Sequence, residues 1–149
     1  MSAAHKTPVE RLTRWRRFQE EQATNALREG VHAASAAASA LQAATSELES
    51  LAGRKSQGMN SGRIDLGLYG QLLAYEGAAL EARERKLIEQ ERCDQQLQTC
   101  REAVVAAKSQ NKVAAARQGR YLAVANDRDE KRAFDLLADQ WIAVRRSRA

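Results

Sequence analysis

Apolar residues are spaced along this chain in alternating steps of four and three. Leu27, Val31, Ala34, Ala38, Leu41, Thr45, Leu48 and Ala52 form one such series. A repeat of this kind keeps one side of an α-helix apolar and predicts a coiled-coil seam. Leu12, Trp15 and Phe18 extend the apolar character toward the N-terminus less regularly. A second series opens with Leu66, Leu73, Leu80 and Leu87, one at every seventh position. After a small phase slip it continues through Cys93, Leu97, Cys100, Val104 and Ala107. Between the two series lies Gly53-Arg-Lys-Ser-Gln-Gly-Met-Asn-Ser-Gly-Arg-Ile-Asp65, which gathers Gly53, Gly58, Gly62, Ser56, Asn60 and Ser61. Glycine accepts backbone angles that other residues avoid, and Ser and Asn side chains compete for backbone hydrogen bonds. The pattern predicts a helix, a reversal and a longer helix.

The predicted boundaries follow from local chemistry. Thr7-Pro8-Val9-Glu10 has the form of a capping box, with Pro8 where its missing N–H does no harm. The first helix is expected over about 8–52, stopped by Gly53, with a loop over 53–65. The second is expected over about 66–144, capped by Asp65 or Ser61, with Gly119 and Asn126-Asp127 as its bending points. The expected fold is all-α: an antiparallel two-helix coiled-coil hairpin with a longer, overhanging C-terminal helix, in one domain. Folding back at the loop sets Leu41 against Gly77, Leu48 against Gly70, and Trp15 near Cys100 and Val104. Close helix approach then gives Gly67, Gly70 and Gly77 a purpose. The part of the second helix beyond about Gln110 projects past the first. It carries a stripe of its own, Phe134, Leu137, Trp141 and Val144, with no partner in the chain.

Composition agrees with a thin seam. Alanine dominates a 44% hydrophobic fraction, and there are only two Phe, two Trp and three Tyr. No apolar run approaches the ~18 residues of a membrane span. No apolar leader region precedes a small-residue cleavage site, so the expected location is cytoplasmic. The net charge of +5 is uneven: residues 1–17 carry +4, residues 18–112 carry −2 and residues 113–149 carry +3. Cys93 and Cys100 lie on one helical face about 10 Å apart along the axis, too far for a disulfide, and read as small buried hydrophobes.

Catalytic signatures are missing. The sequence has no GxxxxGK(S/T) phosphate loop, GxGxxG, GxSxG or HExxH. His5 falls in a terminal tail and His32 beside the seam, and the cysteines lack the company of a zinc site. Asp127, Asp129 and Glu130 beside Arg128, Lys131 and Arg132 read as ion pairing on a helix surface. The expectation is a protein that is not an enzyme and has no catalytic residues, cofactor or metal. Arg11-Leu-Thr-Arg-Trp-Arg-Arg-Phe18 has several readings. It suits an anionic membrane surface, nucleic-acid phosphates, an acidic protein partner, or the closed end of a hairpin with solvated arginines. A loop between the two helices argues against a basic leucine zipper.

The capped first helix, the Leu72-Leu-Ala-Tyr-Glu76 region and the closing run Arg128-Asp-Glu-Lys-Arg-Ala-Phe-Asp-Leu-Leu-Ala-Asp139 resemble a known family. It is the stalk proteins of bacterial type III export ATPases, the flagellar FliJ and injectisome YscO group. The resemblance implies an antiparallel coiled coil that engages a hexameric export ATPase and links it to the export gate and secretion chaperones. It places the chain in the cytoplasm, peripheral at the inner-membrane export apparatus. Its ATPase end corresponds to Leu12, Arg14, Trp15 and Phe18 with Phe134, Leu137, Trp141, Val144, Arg145 and Arg146. The gate side corresponds to Leu68, Tyr69, Leu72 and Tyr75. The rival reading is a free-standing coiled-coil adaptor that self-associates through its overhang; a basic nucleic-acid or membrane-surface binder is a third.

Overall fold

A computed structural model describes residues 7–63 and 65–148, which form two helices, α1 (Pro8–Asn60) and α2 (Leu66–Ser147). His5, Lys6 and Ile64 lie outside the described residues. The helices pack against each other, and no strand occurs among the described residues. The chain divides into two compact units, Met1–Gln22 with Val105–Ala149 and Ala23–Val104.

Local capping is as the sequence predicts. The Thr7 N–H donates to Glu10 Oε2 at 3.0 Å, and the Glu10 N–H donates to Thr7 Oγ1 at 3.3 Å. This reciprocal pair satisfies amides that the first helical turn leaves without partners. Asp65 caps α2, its Oδ1 accepting from the Gly67 and Leu68 N–H groups at 3.0 and 3.3 Å. The stop of α1 differs from expectation. The helix runs through Gly53 and Gly58 to Asn60, and Gly62 is the residue with a positive φ, at 72°. A glycine inside a helix costs only about 1 kcal/mol, whereas reversing the chain needs a left-handed residue, and Gly62 supplies it. α2 is continuous through Gly119, Asn126 and Asp127 and ends at Ser147, beyond Val144.

In the unit Ala23–Val104, the α1 positions withdrawn from solvent run through Leu27, Gly30, Ala34, Ala37, Leu41, Ala44, Leu48, Leu51 and Lys55, with Ala23, Thr24, Ala40 and Thr45 also partly covered. The column Leu27, Ala34, Leu41 and Leu48 is the predicted one. Its companion is Gly30, Ala37, Ala44 and Leu51, one residue earlier than expected, which leaves Val31, Ala38 and Ala52 exposed. The α2 side shows the same displacement. Tyr69, Leu72, Glu76, Ala79, Gln90, Cys93, Leu97, Cys100 and Val104 are withdrawn, and Arg83 and Lys86 stand exposed at the intervening seam positions. These steps of three and four are unbroken, so there is no phase slip. Leu66, Leu73, Leu80 and Leu87 lie outside the seam and are exposed.

Small residues explain this choice. Ala34, Ala37 and Cys93 form the buried cluster, with Leu97 packed against it. A Cβ on Gly30 would sit 3.7 Å from both Cys100 Sγ and Leu97 Cδ1. Narrow residues let two backbones approach, and close approach is what brings thin side chains into van der Waals contact. The expected pairings shift accordingly. Gly70 and Gly77 face open space rather than Leu48 and Leu41, and the glycine against α2 is Gly30. Cys100 packs at Gly30, and Trp15 stacks on Phe18 with ring centroids 5.7 Å apart.

Candidate docking surface

In the unit containing both termini, α1 packs on the α2 segment 107–118. Thr13 is buried, its hydroxyl donating to the Val9 carbonyl at 3.0 Å. Ala107 and Ala114 are buried from α2. Between them runs a polar layer. Arg16 Nη1 donates to Gln110 Oε1 at 2.6 Å and to Gln19 Oε1 at 2.9 Å, while Asn111 Nδ2 donates to Glu20 Oε2. The Asn111 Oδ1 is buried without a hydrogen-bond partner. A polar side chain in an apolar seam costs stability and fixes register, because a shifted pairing would bury more unpaired groups.

Beyond Gln118 only Ala125 is partly covered, and the other residues to Arg148 are exposed. The seam rhythm, continued along the helix, falls on Tyr121, Ala125, Arg128, Arg132, Asp135, Asp139, Ile142 and Arg146. That face is largely charged. Phe134, Leu137, Trp141 and Val144 each lie two residues after a seam position, about 200° around the helix. Their exposures are 75%, 64%, 62% and 50%. The terminal stripe therefore lies almost opposite the face that α1 covers. A longer α1 would not bury it.

Charge frames this stripe. Arg145 stands over the Trp141 ring at 4.8 Å from its centroid. Lys131–Asp127 at 2.9 Å and Arg132–Asp129 at 4.0 Å are exposed ion pairs along the helix, as the sequence suggested. Such pairs contribute roughly 0–1 kcal/mol each. They shape the surface more than they hold it.

The residues that the family resemblance joins at one end fall into separate surfaces. Leu12 and Arg16 line a groove of about 190 Å³ with Ser109, Gln110, Val113, Ala114 and Arg117. Phe134 lies about 25 Å farther along α2 than Arg117 at the helical rise. Trp15 and Phe18 stack in the open, 53% and 47% exposed, and Arg14 is exposed beside them. The gate-side four also divide. Tyr69 and Leu72 belong to the seam, while Leu68 and Tyr75 are exposed. Leu68, Tyr69 and Leu72 share a groove near the turn with Lys55, Met59 and Arg63. There Lys55 bonds Glu76 at 3.1 Å and lies 5.9 Å from the Tyr69 ring centre. The hydrogen bond and charge of Glu76, with a smaller contribution from Tyr69, hold the Lys55 ammonium's pKa above its ordinary 10.5.

No cluster of three or more His, Cys, Asp or Glu among the described residues could hold a metal ion. No helix among them is long and apolar enough to cross a membrane. No protein-family model matches the chain, and no curated protein or solved structure is significantly similar to it.

Proposed function

We propose that this chain is a non-enzymatic stalk or adaptor of a type III protein export apparatus. In this reading it is an antiparallel two-helix coiled-coil hairpin whose protruding α2 end docks into a larger assembly. The antiparallel pairing is supported within Ala23–Val104, where Lys55 meets Glu76 while Gly30 meets Leu97 and Cys100. Residue numbers fall on one helix as they rise on the other.

The observation that carries the proposal is the terminal stripe. Phe134, Leu137, Trp141 and Val144 are exposed together on a face turned away from α1. Apolar surface left in water costs roughly 25 cal/mol per Å², so a partner that covers this stripe gains from doing so. Arg145, Arg146 and Arg148 close the helix, where cations complement its dipole and steer acidic surfaces toward it. The stalk reading makes that partner a hexameric export ATPase, with gate protein and chaperones engaged elsewhere on the hairpin. Location at the cytoplasmic side of the inner membrane belongs to the same proposal.

The experiment is a Phe134→Ala, Trp141→Ala double variant mixed with the purified export ATPase. Hexamer assembly and ATP hydrolysis are measured beside circular dichroism. Loss of stimulation with helicity intact is the expected result. Unchanged stimulation by the folded variant would remove the stripe from the mechanism.

A further inference from the structure

The unit that holds both termini carries a cationic groove, whose chemistry stands independently of the export reading. Leu12 and Arg16 of α1 form one wall, and Gln110, Val113, Ala114 and Arg117 of α2 form the other, around a volume of about 190 Å³. Its apolar lining is aliphatic: Ala114 is buried, Leu12 half-buried and Val113 exposed. Its charged lining is Arg16 and Arg117, with no carboxylate between them.

The surroundings have one sign of charge. Residues 11–19 of α1 hold Arg11, Arg14, Arg16 and Arg17 and no acid, and residues 105–126 of α2 hold Lys108, Lys112, Arg117 and Arg120 and no acid. Every ion pair among the described residues lies outside these two stretches. To either side, cations of α2 find carboxylates within a turn, as in Arg92–Glu89 and Lys131–Asp127. Glu10 and Glu20 bracket the α1 stretch, but their carboxylates accept from the Thr7 N–H and from Asn111 Nδ2. Arg16 donates to the neutral amide oxygens of Gln110 and Gln19. The cations of the groove are left for a ligand to neutralise.

We propose that this groove is the docking site for an acidic amphipathic helix of a partner protein. An amphipathic helix lays its apolar face into a groove of this kind. The Arg16–Gln110 bond sets Arg16 level with Gln110, and Arg117 lies seven residues, about 10 Å, farther along α2. Two turns of a docked helix span the same distance. The occupant carries two carboxylates seven residues apart, and aliphatic side chains at the third and fourth positions between them meet Leu12, Val113 and Ala114. Guanidinium forks receive carboxylates through paired hydrogen bonds, and two acids relieve the like-charge repulsion across the groove. The aliphatic lining separates this occupant from other polyanions. A nucleic acid brings phosphates to the arginines, but its bases stack on aromatic faces, and the groove has none. A bilayer surface lies across a groove between two helices without filling it.

The test is fluorescence anisotropy at physiological ionic strength. A labelled, alanine-based helical peptide with two glutamates seven residues apart, and leucines at the third and fourth positions between them, is titrated with the full chain. Binding should weaken about tenfold when the glutamates become glutamines, and about tenfold when the leucines become alanines. Arg117→Gln should weaken it by a similar factor with helicity and Tm unchanged, since Arg117 is exposed and forms no ion pair. Lys112→Gln removes the same charge from outside the groove and should change binding by less than about twofold. Equal losses in Arg117→Gln and Lys112→Gln would overturn the inference, because diffuse charge alone would then attract the peptide. No binding at ~1 mM would overturn it as well. Single-stranded RNA or phosphatidylglycerol vesicles that bind more tightly than the peptide, and lose that binding in Arg117→Gln, would give the groove to phosphate instead. A full chain that dimerises in sedimentation equilibrium, loses the dimer in Arg117→Gln and leaves the peptide unbound would give it to a second copy.

Discussion

Gly30 sets two effects against each other, and the structure supplies the distances that decide between them. Adding a methyl group there removes the conformational penalty of a mid-helix glycine, about 1 kcal/mol. It also introduces a Cβ between α1 and α2. That atom would lie 3.7 Å from Cys100 Sγ and Leu97 Cδ1, and 3.8 Å from Leu97 Cα. These are ordinary van der Waals distances, so the methyl fills space without displacing its neighbours and adds up to ~0.8 kcal/mol of burial. Gly30→Ala should therefore stabilise the chain by roughly 1–2 kcal/mol, a rise of roughly 2–8 °C in Tm for a chain of this size. Gly119→Ala is the control, because nothing lies within 4 Å of its added Cβ and only propensity changes. Gly30→Leu should reverse the sign, since a long side chain at that spacing overpacks the seam at a cost of about 1–3 kcal/mol. Thermal melts at 222 nm compare the three. If Gly30→Ala lowers Tm while Gly119→Ala raises it, the helices are closer at Gly30 than described, and the account of the seam by small residues fails.

Other consequences can be checked with similar means. Thr7→Ala and Asp65→Ala each remove a helix cap and should cost about 1 kcal/mol, with local loss of amide protection confined to the first turn of α1 or α2. Cys93 is buried and Cys100 half-buried, both as free thiols, so an aromatic disulfide reagent should modify Cys100 before Cys93; Cys100→Ala should cost roughly 1 kcal/mol. The raised pKa of Lys55 means that its pairing with Glu76 contributes fully below about pH 10 and is lost as pH climbs through the folded-state value. The Tm difference between wild type and Lys55→Met should shrink from pH 9 to pH 12; a difference that stays constant would show that the pairing contributes nothing. Asn111→Leu removes a buried oxygen without a partner together with the amide that donates to Glu20 across the seam. It should lower stability through the lost hydrogen bond across the seam, measured as a fall in Tm; a variant that melts no lower would show that the Asn111 layer contributes nothing.

Much of this molecule can be read along one dimension. Alanine, leucine, glutamine and charged residues in long runs favour helix locally, and the caps at Thr7 and Asp65 are chemistry among residues a few positions apart. The terminal stripe is legible for the same reason, because Phe134, Leu137, Trp141 and Val144 share a helical face whatever lies around them. Periodicity could not decide which of several adjacent columns becomes the seam. In an alanine-rich helix, Val31 and Ala38 fit the repeat as well as Gly30 and Ala37, and the leucines at 66, 73 and 80 rank above the seam's Glu76 and Ala79 in hydrophobicity. Packing reversed that ranking in the unit Ala23–Val104. Two long helices gain contact along their length where narrow residues let them approach, so glycine, alanine and cysteine share the seam with Leu27, Leu41, Leu48, Leu72 and Leu97, while the leucines at 66, 73, 80 and 87 were left outside it. The end of α1 was decided the same way. Gly53 and Gly62 look alike in a sequence, but only the residue at the reversal takes the left-handed conformation, and where the chain reverses depends on which residues of α1 and α2 must meet.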